Sequence, residues 1–286
     1  ITAANTLGAL MGSVCTTWVL MGLIHGQNQM FIAAALNLMS AAVALITHTV
    51  VAPTFVRKID ASRRQSDSRP PKYNALTYAF MLSGAASLGL QILWNRLAYI
   101  SLEHTSFTFA LVLSIFLTAY AAGAFCSSLW LRNRPARRHT AALLQLAALS
   151  CTLAGILMFT NGLHYEQLSR AMPYQMSAVA IISIYTFLPI FFIGCSTPLI
   201  LNLLSEGVAT LGHDTGRAMM MNNIGSILAI LIVGFILIPA ANLYGVILFC
   251  TLLLLGAVLL TAGTPKTKIQ SQVVYPLGAL GIAALL

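Results

Sequence analysis

The residues of this chain most able to do chemistry are polar side chains set inside long apolar runs. Gln91 and Asn95 lie in the run 76–99, four residues apart, so they share one face of a helix. A polar side chain within a membrane must find a hydrogen-bond partner or line a water-filled cavity. The pair therefore predicts either a polar patch on a cavity or a contact that fixes this helix to a neighbour. Contact is the favoured interpretation.

Four further asparagines fall close to the ends of apolar runs, all at one side of the predicted membrane. They could line a gate, or they could cap helices and bond across to neighbours, and the second interpretation is favoured. These residues are Asn5, Asn202, Asn222 and Asn223.

Two prolines, Pro189 and Pro198, flank Gly194 in the apolar run 174–204. Proline removes a backbone donor and kinks a helix, and such breaks often line cavities in transporters. A bent helix with a purely structural role explains the prolines equally well.

Motifs for catalysis or cofactor binding are missing from the sequence. It contains no HExxH, no P-loop, no CxxC and no Ser-His-Asp arrangement, and none of its six acidic residues falls in the middle of an apolar run. His48 is the one histidine clearly inside such a run, so a haem held between two histidines would lack its second ligand. We therefore expect no metal, no cofactor and no enzyme active site within these residues.

The composition indicates the elements that must position these side chains. Hydrophobic residues make up 58% of the chain, charged residues 7%, and the mean hydropathy is +0.86. A soluble domain carries roughly a quarter charged residues because its surface must be wetted. The sequence therefore predicts an all-α integral membrane protein.

Eight apolar runs are long enough to cross about 30 Å of hydrocarbon as helices. A further apolar segment at 273–286 is too short to cross as it stands. The predicted spans are 3–24, 29–55, 76–99, 107–131, 140–160, 174–204, 217–240 and 245–263.

Basic residues are sorted to one set of connecting loops. Thirteen of the fifteen Lys and Arg residues lie in these loops or at their edge, at Arg217, and only Arg96 and Arg170 lie on the other side. The positive-inside rule then places the first set in the cytoplasm. The net charge of +9 thus reflects membrane orientation and predicts a lipid bilayer, not nucleic acid, as the partner. The cytoplasmic loops are 57–75, 132–139, 205–216 and 264–272.

An internal repeat divides the chain. Asn5-Thr-Leu-Gly8 matches Asn222-Asn-Ile-Gly225 at an offset of 217 residues, and each copy is followed by a pair of apolar runs. Since the chain opens directly inside an apolar run, we expect it to be a piece of a longer polypeptide. The predicted organisation is the end of a first helical repeat at 1–56, a basic cytoplasmic linker at 57–75, a second six-helix half at 76–263, and a loop with the start of a further apolar segment at 264–286.

Several stretches, in order, resemble motifs of bacterial spermidine-synthase-like membrane proteins, sometimes described as fused major-facilitator/spermidine-synthase proteins. Leu82–Arg96 looks like the family's SG-rich helix ending in E-x-x-W-x-R, and Leu188–Leu199 is similar to its P-x-x-x-x-G-A-T-x-P-L helix. Gly216–Gly225 resembles its G-R-x-Y-A-x-N-T-x-G entry, as does Ile1–Gly8. The resemblance extends from Ile1 to about Gly263.

The resemblance implies a two-half, twelve-helix bundle like the major facilitator fold, with the eight spans as helices five to twelve. The seventh and tenth helices would face a central cavity lined by Gln91, Pro189 and Pro198. The family has an acidic residue where this chain has Gln91. The carboxylate that would bind a polyamine cation is therefore missing.

Three functions follow as alternatives. The first is a non-catalytic, transporter-like membrane domain that acts as an anchor or scaffold, alone or as a subunit of a larger membrane complex. The second is a secondary transporter of a small organic or cationic solute. The third is the membrane part of an aminopropyltransferase-like enzyme whose soluble domain lies outside these residues. The resemblance places all three in a bacterial inner membrane.

Overall fold

The computed structural model describes residues 26–66, 74–102, 106–160, 174–205 and 211–263, together with residues 8, 11, 12, 14–16 and 23. All regular structure in the five longer ranges is helical. The helices are α1 (Gly26–Ser66), α2 (Ala75–Leu102), α3 (Ser106–Leu131), α4 (Arg138–Thr160), α5 (Tyr174–Leu204), α6 (Leu211–Leu231) and α7 (Ile238–Ala262), with a π-helical turn, Ile232–Leu237, joining the last two.

Six helical segments in the described ranges are long and apolar enough to cross a bilayer. The predicted all-α membrane protein is thereby confirmed. The segments are Gln27–Thr47, Ala75–Ile100, Phe107–Leu131, Arg138–Thr160, Val179–Leu204 and Gly212–Ala262.

The last of these segments is too long for one crossing. Its 51 residues would extend about 75 Å as a straight helix, more than twice the hydrocarbon thickness. Helical geometry breaks at Asn242, which has a φ of 55° and a ψ of −164°. The break coincides with the loop that the sequence predicts between the spans 217–240 and 245–263.

Contacts with α2 show that the chain reverses at this break. Leu76 and Phe80, near the start of α2, share a cluster with Ala218, near the start of α6, and Gly89, farther along α2, lies beside Val233, just after α6. Helices α2 and α6 therefore run in the same direction. Beyond Asn242 the order inverts, because Leu82 packs beside Gly256 and Gly89 beside Cys250. The part of α7 after Asn242 is therefore antiparallel to α6, and Asn242 is the turn between the two crossings.

The six helices α2–α7 alternate in direction. The arginine end of the bundle, as we name it, is the end where α2, α4 and α6 begin and where α3, α5 and α7 finish. Arg138, at the start of α4, bonds to Leu260, near the finish of α7. Arg96 and Asn242 lie towards the opposite end.

Helix packing in the bundle follows an inverted repeat of two three-helix units, α2–α4 and α5–α7. The counterparts of α2, α3 and α4 in the second unit are α5, α6 and α7. The contact of α3 with α5 therefore corresponds to that of α6 with α2, and these two contacts are the most extensive in the bundle. The contacts of α4 with α5 and of α7 with α2 correspond in the same way. Because each unit has three crossings, the second unit is inverted relative to the first.

The repeat extends to single residues at the two close helix crossings. A β-carbon at Gly123 of α3 would overlap the backbone carbonyl of Phe191 on α5, and one at Gly225 of α6 would overlap that of Met81 on α2. Gly194 likewise meets the backbone of Tyr120, and Gly84 meets Asn222. The residue numbers of counterparts on α2 and α5 differ by 110 in both pairs, and those of counterparts on α3 and α6 differ by 102. Only glycine lets these backbones approach so closely.

The apolar core lies between α2, α3, α4, α5 and α7. Leu90, Leu93, Ile190 and Leu254 are among its fully buried side chains. A smaller cluster around Phe80 and Leu199 closes the arginine end. By contrast, α1 buries none of its apolar window and makes no extensive contact with the other described helices.

Several boundaries differ from the sequence prediction. Helix α1 continues to Ser66, into the segment predicted as a linker, and α6 begins at Leu211, so the connection from α5 is shorter than predicted. The span predicted at 3–24 lies largely outside the described residues, as does the final apolar segment at 273–286.

Candidate functional site: an apolar pocket between α2, α4 and α5

The predicted site residues Asn222 and Asn223 lie in different surroundings. Asn222 Nδ2 donates a hydrogen bond of 2.8 Å to the carbonyl oxygen of Phe80, which links α6 to α2. Asn223 is exposed. A helix turns by about 100° per residue, so neighbouring side chains point to different faces. Asn222 therefore contributes to helix packing.

Gln91 and Asn95 of α2 differ in burial. Asn95 is 8% exposed, and its Oδ1 atom has no hydrogen-bond partner. Gln91, one turn earlier, is only partly buried. The two amides share a face of α2 by their spacing, but the structure does not bond them to one another or enclose them in a common site.

The other predicted site residues lie away from the core. Asn202 is exposed in the last turn of α5, where its backbone carbonyl accepts a 2.9 Å hydrogen bond from the Ser205 hydroxyl. Asn5 lies outside the described residues.

Helix α5 continues through both prolines. Pro189 is buried and Pro198 is half-buried. A proline at position 189 cannot donate to the carbonyl of Tyr185 four residues earlier. That carbonyl faces Gly155 of α4, where a β-carbon would lie 3.5 Å from it. Pro189 thus removes one bond of the regular helical pattern at the contact between α5 and α4.

Beside this contact lies a small pocket lined by α2, α4 and α5, with room for about one water molecule. Its aromatic wall is a stack of Trp94 on Tyr185, with ring centroids 5.9 Å apart and planes 10° apart. Phe159 meets Tyr185 edge-on, also at 5.9 Å. The remaining lining residues are Leu97, Ala98, Ile181, Ile182 and Thr186.

Two polar atoms of the pocket residues are buried without a hydrogen-bond partner. They are Nε1 of Trp94 and Oγ1 of Thr186. A buried polar atom left unpaired costs about 1–3 kcal/mol. Both atoms belong to residues that line the pocket, whose wall is almost entirely apolar.

Sequence reasoning missed both of these pocket residues. Thr186 follows two other hydroxyl residues, Ser183 and Tyr185, in an apolar stretch, and Trp94 lies three positions beyond Gln91. Hydroxyls in membrane helices commonly bond to their own backbone. Nothing in the local sequence distinguishes Thr186 from those.

Other polar side chains bond between helices. The Tyr120 hydroxyl lies 2.9 Å from Thr197 Oγ1, between α3 and α5. Thr261 Oγ1 donates to Gln145 Oε1 at 2.8 Å, between α7 and α4. Arg138 Nη2 donates to the Leu260 carbonyl at 3.2 Å. These bonds fix the relative positions of four helices.

Within the described part of the chain, no three His, Cys, Asp or Glu side chains come close enough to hold a metal ion. The cysteines Cys15, Cys126, Cys151, Cys195 and Cys250 are free thiols.

Comparison with protein-family models, with curated proteins and with solved structures gave no match. The resemblance to spermidine-synthase-like membrane proteins therefore stays a prediction from sequence motifs.

Proposed function

We propose that this chain is a non-catalytic, transporter-like membrane domain that acts as a scaffold within a larger membrane complex. The observation that supports the proposal is the use of polar side chains between helices. In a membrane, such bonds join helices because lipid offers no alternative partner.

The inter-helical bonds of Asn222, Tyr120, Gln145 and Arg138 connect three pairs of helices: α6 with α2, α3 with α5, and, twice, α4 with α7. A transporter that alternates between two states must break some contacts at every cycle. Here polar side chains bond between helices, and glycines at the crossings bring the helix backbones into contact. These contacts favour a rigid scaffold over a transporter that alternates between two states.

The inverted repeat of α2–α7 supports a major-facilitator-like arrangement in which these six helices form one half of a larger bundle. In that arrangement the chain supplies eight spans, helices five to twelve. By the positive-inside rule, the basic residues support a cytoplasmic location for the arginine end, and the sequence resemblance supports a bacterial inner membrane.

The scaffold proposal is tested by extracting the protein from its native membrane in a mild detergent and measuring the mass of the intact complex. We expect a partner protein in fixed stoichiometry. Recovery of this polypeptide always alone, across several detergents, would contradict the proposal.

A secondary transporter is the second candidate, and the inverted repeat favours it because many transporters are built from such repeats. Gln91 and Asn95 are then the residues of the solute pathway. We expect solute uptake by reconstituted vesicles to fall in Gln91→Leu and Asn95→Leu. Uptake that survives both substitutions unchanged would remove these residues from the pathway.

A further inference from the structure

Four arginines lie together at the arginine end of the bundle, in the loop that joins α3 to α4. This arginine patch consists of Arg132, Arg134, Arg137 and Arg138, and all four side chains are exposed. No acidic residue occurs between Leu131 and Thr140. The patch is therefore a dense positive surface with no counter-charge of its own.

Two of the four arginines are held in place by neighbouring groups. The guanidinium of Arg134 lies 6.0 Å from the ring centroid of Trp130, at cation–π distance. Arg138 donates to the Leu260 carbonyl at 3.2 Å, which ties the patch to the finish of α7. Arg132 and Arg137 form no ion pair with a carboxylate among the described residues.

Other charges described at this end do not neutralise the patch. Asp214, in the first turn of α6, lies 3.7 Å from Nδ1 of His213. Arg217, on the same helix, adds a further positive charge. His139 is exposed immediately after the patch.

The surface of α3 shows at what depth in a membrane the patch lies. Phe125 is 57% exposed and Leu129 is 45% exposed, so this helix faces lipid up to its last turn. Trp130 follows, an aromatic residue of the kind enriched at membrane interfaces, and the arginines come next. This order of apolar, aromatic and basic side chains matches the change from hydrocarbon to headgroup. It favours a lipid phosphate over a phosphate free in water.

We propose that the arginine patch is a binding site for the headgroup of an anionic phospholipid. Guanidinium groups bind phosphate oxygens through paired hydrogen bonds. Arg132 and Arg137 contact the phosphate, while Arg134 and Arg138 shape the site through Trp130 and Leu260.

The experiment is native mass spectrometry of the purified protein in mild detergent, with phosphatidylglycerol or phosphatidylcholine of identical acyl chains added in turn. We expect phosphatidylglycerol to be retained preferentially. Each arginine near a membrane surface raises the affinity for anionic lipid about fivefold. Arg132→Gln combined with Arg137→Gln should therefore lower retained phosphatidylglycerol by more than tenfold, with phosphatidylcholine unchanged.

Arg96→Gln is the matched control, since Arg96 is an exposed arginine towards the opposite end of the bundle. It should leave phosphatidylglycerol retention as it is. The charge-preserving pair Arg132→Lys and Arg137→Lys should keep most of the binding. Thermal unfolding of each variant checks that it is folded.

Equal retention of the two lipids, or a patch variant that binds phosphatidylglycerol like the unmodified protein, would overturn the proposal. Displacement of phosphatidylglycerol by inorganic phosphate alone would also overturn it, because the patch would then be a site for free phosphate.

Discussion

At the scale of single residues, Asn222 and Asn223 show how position decides the role of a side chain. The sequence offers two adjacent asparagines with the same chemistry. The structure gives Asn222 a partner on α2 and leaves Asn223 exposed. The prediction that such asparagines pack between helices describes Asn222 and not Asn223.

We expect Asn222→Ala to lower the free energy of unfolding by about 0.6 kcal/mol, the average value of an inter-helical hydrogen bond in a membrane, and by less than about 2 kcal/mol. Asn223→Ala, the matched control, should change it very little. Unfolding of both variants in mixed detergent, followed by circular dichroism, measures the difference. Equal effects of the two substitutions would argue against the bond to Phe80.

The glycines at the helix crossings give a second prediction. Gly123→Ala should lower the free energy of unfolding by about 1–3 kcal/mol, because its methyl group would overlap the carbonyl of Phe191 and force α3 away from α5. Gly216→Ala, in the open first half of α6, has no atom within 4 Å of the new methyl group. It should raise that free energy by about 0.5–1 kcal/mol through better helix propensity.

Thermal unfolding in one detergent compares the two glycine variants directly. A Gly123→Ala protein as stable as Gly216→Ala would mean that α3 and α5 do not cross in backbone contact.

Residue-level prediction from sequence was incomplete for a physical reason. Polar groups such as Gln91 and Asn95 can be recognised by their contrast with apolar neighbours. The pocket of Trp94 and Thr186 depends on three helices that meet only in the folded bundle. No property of either residue alone indicates that meeting.

At the scale of helices, the lengths of apolar runs predicted most boundaries closely, and the run 174–204 coincides with α5. Run length is informative because the bilayer fixes the length of a span. Helix extensions outside the hydrocarbon follow no such limit. This is why the continuation of α1 to Ser66 and the early start of α6 at Leu211 were not predicted.

The inverted repeat of α2–α7 also escaped prediction. Its counterparts share backbone geometry but little chemistry, since Tyr120 corresponds to Asn222 and Phe191 to Met81. The offsets also differ, 110 residues for one helix pair and 102 for the other, so no single spacing reveals it. What remains in the sequence is a small-residue stretch after Gly84 and again after Gly194.

The turn between α6 and α7 provides the prediction at this scale. Asn242 adopts a φ of 55° and a ψ of −164°, a combination essentially confined to glycine. We expect Asn242→Gly to raise the free energy of unfolding by about 1 kcal/mol through relief of strain. Asn242→Val should lower it, because a β-branched side chain tolerates this conformation poorly.

Thermal unfolding of both Asn242 variants, beside the unmodified protein, tests this expectation. A valine at position 242 that is tolerated as well as glycine would indicate that α6 and α7 are not joined by this turn.

At the scale of the whole molecule, the alternating helices make a prediction about sidedness. In a variant without its five native cysteines, single cysteines at Asn133 and Ser205 should react with a membrane-impermeant maleimide from one side. A cysteine at Tyr244, which is 80% exposed near the α6–α7 turn, should react from the other side. Asn133 and Tyr244 lie at opposite ends of the bundle because α4, α5 and α6 cross it between them, and Ser205, after the finish of α5, lies at the same end as Asn133.

A cysteine at Ser62 extends the labelling to the predicted basic linker, which should react from the same side as Asn133. Reaction of Asn133 and Tyr244 from one common side would contradict the alternating directions of α4, α5 and α6. Reaction of Ser62 and Asn133 from opposite sides would contradict the charge-based orientation.

Each unit crosses the membrane three times, an odd number, so equivalent loops of the two units lie on opposite sides of the membrane. The connection between the second and third helices occurs twice in the bundle, once as Arg132–Arg137 and once as the turn around Asn242. The first copy is rich in arginine, whereas the second, Ile238-Pro-Ala-Ala-Asn-Leu-Tyr-Gly245, has no charged residue. Equivalent loops of the two units thus face opposite sides of the membrane, one strongly positive and the other uncharged. The bundle is nearly symmetric in its backbone but asymmetric in its charge.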